Sequence, residues 1–207
     1  MKDSDPHMAL THLFFDIGGV LGSNGWDHEQ RERADEQFAL GPEFEQRHQE
    51  LVGDWEIGRL TLDEYLDSAV FFVPRSFTKE EFIAFMFDQS EPFVGTIAIV
   101  AEVAKRSDLT LMTLNNEADE LNRHRIAKFG LDPLFEAFLS SCWLGVRKPS
   151  QVMFQRAMAI AGAEPNAILF VDDRQQNLVP AAAAGWETHH FFDAAGLRHD
   201  FEERGIL

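Results

Sequence analysis

The sequence predicts an α/β protein, a doubly wound parallel sheet interrupted by an all-helical insert. Three observations predict it. Short apolar runs without polar alternation recur between amphipathic stretches, the pattern of strands covered on both faces. Several of those runs stop on polar residues of one kind: Asp16, Asn115-Asn116 and Asp172-Asp173. Residues 22–95 break the pattern, with no strand-like run and 17 acidic against 6 basic residues. The remainder of the chain carries 18 acidic and 12 basic residues.

Leu13-Phe14-Phe15 is the first strand. The next four are Leu109–Leu114, the weaker Ala137–Ser141, Ala167–Val171 and Glu187–Phe192. Helices are expected over 97–106, 117–129, 150–161 and 175–184. Pro149 suits a helix N1 position, and Gly130 and Gly162 suit positions just past a helix C-terminus. In the insert, helices are expected over 27–40, 42–52, 62–73 and 79–89, with breaks at Gly41-Pro42 and Pro74. Thr61 and Thr78 each precede an acid three residues on (Glu64, Glu81), a capping-box spacing. The expected division is a core of 1–21 and 96–207 and a helical insert of 22–95.

Composition bounds the function. The 207 residues carry a net charge of −17, which argues against nucleic acid or an anionic membrane as partner. The single cysteine, Cys142, excludes an internal disulfide framework and a cysteine-rich metal site. Lys2, Asp3, Asp5 and His7 leave no apolar stretch for a secretory leader. No run approaches the roughly 18 apolar residues of a membrane span. The expected setting is cytoplasmic, as a monomer or homodimer.

In doubly wound sheets, ligands gather at the carboxyl ends of the strands. Those ends present Asp16, Thr113 with Asn115, and Asp172 with Asp173, and Lys148 lies in a polar turn nearby. Three carboxylates at one edge need a hard cation among them, and Mg²⁺ suits oxygen ligands. A hydroxyl, a lysine and backbone N–H groups would hold a phosphate. Together they point to phosphoryl transfer to an aspartate.

These residues resemble the motifs of a known superfamily. Phe15-Asp16-Ile17-Gly18-Gly19-Val20-Leu21 resembles the first motif of the haloacid dehalogenase-like (HAD) proteins. Thr113 after its strand resembles the second, Lys148-Pro149 the third, and Val171-Asp172-Asp173 with Asn177 the fourth. All four stand in family order, and the 22–95 insert falls where the subfamily with a helical cap carries it (subfamily I). The branch with the nearest resemblance is the bacterial sugar-phosphatase-like group (alpha-glucose-1-phosphatase-like), which shares Gly two residues after the nucleophile and an Arg-Lys-Pro third motif.

The resemblance implies a HAD-like, Rossmann-like core and an enzyme that hydrolyses small phosphorylated metabolites, sugar phosphates foremost. It implies Asp16 as nucleophile and metal ligand, the Gly18 carbonyl and Asp172 as further ligands, and Asp173 as support for a Mg²⁺ site. Thr113, Asn115 and Lys148 would bind the phosphoryl group. One departure stands out: most HAD phosphatases carry a second Asp, acting as acid and base, where this chain has Gly18. Asp27, His28 and Glu117 are the possible replacements, and Trp26 could stack on a sugar. Arg59, in a turn of the insert, could face the site or solvent.

Three other functions compete. A 2-haloacid dehalogenase also uses an aspartate nucleophile but no metal, and Asp172-Asp173 argue against it. A receiver-type phospho-acceptor module has its acidic pair after the first strand, the reverse of the order here. A HAD-like protein that binds a phospho-ligand without turnover would explain Gly18.

Overall fold

The computed structural model describes residues 10–207. Lys2, Asp3, Asp5 and His7, on which the expectation of no secretory leader rests, lie outside the described residues. Five parallel strands form one sheet in the order β3-β2-β1-β4-β5: β1 His12–Phe15, β2 Thr110–Asn115, β3 Ala137–Ser140, β4 Ile168–Asp172 and β5 Glu187–His190. The order reverses beside β1, and at such a point the loops leave in opposite directions and open a crevice.

The strands sort their side chains by parity. Leu13 and Phe15, with Leu111, Leu169 and Val171, pack on one face among residues of α5 (Val94–Val103), α6 (Asp119–Phe129) and α10 (Ala194–Glu203). Phe14, with Met112, Leu114, Ile168 and Phe170, packs on the other against α8 (Gln151–Ala161) and α9 (Gln175–Ala183). Coverage of both faces explains why these strands read as unbroken apolar runs. Gly130 and Gly162 end α6 and α8 in the left-handed region, at φ 66° and 64°.

Between β1 and α5 the chain forms α1 (His28–Phe38), α2 (Pro42–Glu56), α3 (Leu62–Ala69) and α4 (Lys79–Asp88) around an apolar cluster of their own, centred on Trp26, Phe44, Trp55, Tyr65 and Phe82. Thr61 and Thr78 cap α3 and α4 with complete capping boxes. The chain enters and leaves this helical insert side by side. The Ser23 N–H donates to the Glu91 carbonyl at 2.8 Å, the Phe93 N–H to the Leu21 carbonyl at 2.8 Å, and the Ser23 hydroxyl to the Gln89 carbonyl at 2.8 Å.

Several element ends differ from expectation. α2 continues through Gly53 to Glu56, because it buries Trp55 face to face with Tyr65 at 4.0 Å. α3 stops at Ala69, and the Arg75 Nε–H takes the Val70 carbonyl at 2.8 Å, satisfying an acceptor a longer helix would have used. Pro149 is not a helix N1 residue: the Lys148–Pro149 peptide is cis, and α8 begins at Gln151. β5 ends at His190, and α10 and the short α7 (Ser141–Leu144) have no counterpart among the expected helices. Among the described residues no helix is long and apolar enough to cross a membrane.

Candidate active site

The register Phe15↔Val171 sets the ends of β1 and β4 level, so Asp16 and Asp172 emerge together on the Phe14/Phe170 face. One oxygen each from Asp16, Asp172 and Asp173 lies within 4.8 Å of the others. Lys148 stands among them, 2% exposed, with Nζ 3.0 Å from Asp16 Oδ2 and 2.6 Å from Asp172 Oδ2. Asn177 at the start of α9 donates to both Asp172 oxygens at 3.0 and 3.1 Å. The His190 ring lies 2.9 Å from the Asp173 carbonyl and steadies the acidic turn. Gly19 is required here: its φ is +74°, and a Cβ would stand 2.2 Å from Asp173 Oδ2.

Burial pushes the Asp16 carboxyl up to about 7; Lys148 opposes that push, and Asp172 and Asp173 add to it. Burial also acts to lower Lys148, but the Asp16 and Asp172 charges outweigh it and hold the ammonium above its ordinary range. Burial raises Asp173, with Asp172 adding to the effect. Its Oδ1 is buried without a hydrogen-bond partner. A cluster of three carboxylates with an unsatisfied buried oxygen is a donor set of the kind a hard cation completes.

Above these groups lies a cavity of about 290 Å³ between the sheet edge and the helical insert. Five cationic side chains line it (Arg31, Arg125, Arg147, Lys148 and Arg174) beside four acidic ones (Asp16, Asp27, Glu56 and Glu117). Among the described residues, the apolar side chains at its wall are Trp26, Val52 and Pro149. A chain of net charge −17 thus lines the space at Asp16 with nearly balanced charge.

The sequence-derived residues divide. Asp16, Gly18, Lys148, Asp172 and Asp173 come together. Thr113 does not. It pairs with Phe15 and so points to the opposite face, fully buried, its hydroxyl without a partner. On the cavity side the pleat presents Leu114 instead. The Asn115 side chain also turns away, into a closed ring of hydrogen bonds with Asn122 and Ser140 (2.8–2.9 Å). Its neighbour Asn116 reaches the cavity and brackets Lys148: it donates to the Lys148 carbonyl at 2.9 Å and accepts from the Lys148 N–H at 2.8 Å.

Of the three groups considered for the missing acid, His28 is exposed beside Glu32 and does not line this cavity. Asp27 caps α1 and pairs with Arg174 at 2.5 Å; burial raises it, but the His28 N–H and Arg174 together hold it below the ordinary carboxylate range. Glu117 is 8% exposed, lines the cavity, and accepts from Arg125 at 2.8 Å. Burial raises its carboxyl, more than Arg125 lowers it. A side chain grown at Gly18 would meet Asn24 Oδ1 at 3.1 Å and Arg125 at 3.7 Å, so Arg125 occupies the space beyond Gly18. Trp26 lines the cavity but packs edge-on against Phe44, Phe82 and Phe85. Arg59 is exposed and pairs with Asp54. Burial pushes the Cys142 thiol up to about 12, which disfavours a nucleophilic thiolate.

Sequence reasoning missed Arg31, His48, Arg125 and Arg174. Arg31 is 6% exposed, and its guanidinium grips Glu45 through two hydrogen bonds of 2.8 and 3.0 Å. His48, 3% exposed, is pushed down to about 4 by burial and then by Arg31. Between pH 6.5 and 4 the unfolded chain therefore binds a proton that the folded chain refuses. The contribution is whole above pH 6.5 and falls away toward pH 4, by up to about 3 kcal/mol. Urea unfolding at pH 7.5 and 5 should show a larger loss for the native chain than for His48→Phe. Equal losses would remove His48 as the cause.

The fold and the site are those of a hydrolase built on a doubly wound sheet. Residues 10–185 match the haloacid dehalogenase-like hydrolase family, and the chain belongs to that family. Bifunctional epoxide hydrolase 2 from Rattus norvegicus is 27% identical over 106 residues, which are 50% of this chain and 19% of that protein. A HAD family enzyme from Bacteroides thetaiotaomicron, crystallised as an aspartate-to-alanine mutant with magnesium and inorganic phosphate, superposes with a TM-score of 0.75 at 18% identity, covering 87% of this chain and 93% of that one. L-2-haloacid dehalogenase from Xanthobacter autotrophicus, with chloropropionic acid covalently bound, gives a TM-score of 0.63 at 16% identity over 96% and 84% of the two chains.

Proposed function

We propose that this hydrolase is a Mg²⁺-dependent phosphatase of small, polar phosphate monoesters, sugar phosphates first among them, working through an aspartyl-phosphate on Asp16. The observation that carries the reading is Lys148, buried between Asp16 and Asp172 under a polar cavity of nearly balanced charge. Asp16, Asp172, Asp173 and the Gly18 carbonyl would hold the metal. Bound there, Mg²⁺ would neutralise carboxylate charge and polarise a phosphoryl oxygen.

An Asp16 oxygen attacks phosphorus, the phosphorus–ester-oxygen bond breaks, and the alcohol leaves with a proton. Water then cleaves the acyl phosphate and returns Asp16. Lys148, a compact point charge, offsets repulsion between Asp16 and the incoming phosphate. Arg125 and Arg174 add positive charge around the same space. Glu117 is the group that fits the missing acid, since burial favours its protonated form and it lies in the cavity. Glu117→Gln should slow esters of poor leaving groups by roughly 10²–10⁴-fold and spare p-nitrophenyl phosphate, whose leaving group needs no proton. Uniform slowing of both would reassign Glu117 to structure.

A haloacid substrate would meet few apolar contacts in this cavity and three carboxylates beside its own. A panel of phosphate monoesters assayed with Mg²⁺ and with EDTA, alongside 2-chloropropionate, tests the reading. Mg²⁺-dependent phosphate release is expected. Metal-independent halide release would replace it with the dehalogenase, and binding of phosphate esters without turnover would replace it with a ligand-binding role.

A further inference from the structure

The cap wall of the cavity carries a group that the chemistry at Asp16 does not use. His48 Nδ1 lies 2.9 Å from the Tyr65 hydroxyl, and the Trp26 Nε1–H donates to the same oxygen at 3.1 Å. An indole N–H only donates, so the Tyr65 oxygen is the acceptor there. Tyr65 is fully buried, stacked on Trp55. Its own proton therefore has one destination among the described residues, His48 Nδ1. Were Nδ1 protonated, the hydroxyl would accept twice and its proton would be buried unpaired, an arrangement folded proteins avoid. Nδ1 accepts, and the proton of the neutral imidazole sits on Nε2. That nitrogen makes no hydrogen bond to protein among the described residues, and the ring lines the cavity.

The charged groups around the ring are Arg31, from α1, Asp27, the N-cap of α1, and Glu45, one turn earlier on α2; Glu45 is engaged by Arg31 and Asp27 by Arg174. Gln49 and Val52 follow His48 on the cavity side of α2, so the wall here is polar with one aliphatic patch.

We propose that the His48 Nε2–H is the specificity-determining contact of the cap: a fixed, neutral donor for a hydroxyl or carbonyl oxygen on the organic part of a phosphate ester, locked in that tautomer by the Trp26–Tyr65 relay. The inference rests on the phosphatase reading of the Asp16 site and narrows it. The favoured substrates are polyhydroxylated esters, with oxygen far enough from phosphorus to reach α2 while the phosphate sits at Lys148. Simple alkyl phosphates offer no oxygen beyond the phosphate group for that donor. A buried donor left unpaired by such a ligand is what discriminates against it.

Two measurements on the full chain test this. Nitrogen-15 NMR of His48 at pH 7 should show Nε2 protonated and Nδ1 bare, and Tyr65→Phe should abolish that preference; an Nδ1-protonated ring in the native chain overturns the proposal. In kinetics, His48→Phe should lower kcat/KM for glucose 6-phosphate about tenfold or more, mainly through KM, and leave ethyl phosphate within a factor of about three. His48→Gln, which retains an N–H donor, should recover part of the loss. Equal losses on both esters, or none on either, overturn the proposal. If no ester is turned over, the phosphatase reading fails on its own. Calorimetry then decides the inference, because only a working donor makes glucose 6-phosphate lose more affinity than inorganic phosphate on His48→Phe.

Discussion

Asp16→Asn is expected to slow phosphate release by on the order of 10⁴-fold or more, with the fold intact. The amide keeps the shape and removes both the charge of the proposed nucleophile and one of three clustered carboxylates. Single-turnover phosphate release, matched with thermal unfolding, measures it; activity within tenfold of the native chain would eliminate the aspartyl-phosphate. The same substitution has a stability signature. Burial holds the Asp16 carboxyl at about 7. In the metal-free chain its favourable contribution is therefore present below the ordinary carboxylate range and is lost as pH rises through 7. The asparagine variant does not suffer that loss. Its stability relative to the native chain should rise from pH 6 to pH 8.

Lys148→Met is the second large effect. Nζ is the cation shared by Asp16 and Asp172, and all three side chains are buried or nearly so. Removing it leaves two carboxylates facing each other without compensation, a loss of about 3–5 kcal/mol in the metal-free chain. Turnover should collapse as well. Added Mg²⁺ should raise the Tm of this variant more than that of the native chain, because the ion then supplies the charge that Lys148 otherwise places between those oxygens. A smaller rise in the variant would mean that Lys148 helps to build the metal site instead of competing with it.

What could be read from sequence was what local spacing encodes. The capping boxes at Thr61 and Thr78 span three residues and depend on nothing distant. The strand ends at Asp16 and Asp172 follow from apolar runs that stop on acids. Thr113 was misplaced because its face depends on pairing with Phe15, nearly a hundred residues away, and one step of pleat exchanges a hydroxyl for Leu114. Arg125 reaches the space beyond Gly18 from the middle of α6, where a sequence reading offers only one more charged helical residue. His48 reads as a solvated helix position until Tyr65 and Trp26, from two other parts of the chain, close around it. Convergence of separate segments is the part a linear pattern does not carry.

The side-by-side crossing at Ser23 and Glu91 has a consequence for folding kinetics. β1 must pair with β2 across the 94 residues between Phe15 and Thr110, and closing so long a flexible loop costs about 2.6 kcal/mol more than closing one of five. If the helical detour collapses first on its aromatic cluster, its two ends are already held together by the bonds at Ser23. The sheet then closes as though β1 and α5 were neighbours in sequence. The order of assembly would be cap before central strands, and substitutions at Phe82 or Trp55 would slow folding as well as speed unfolding.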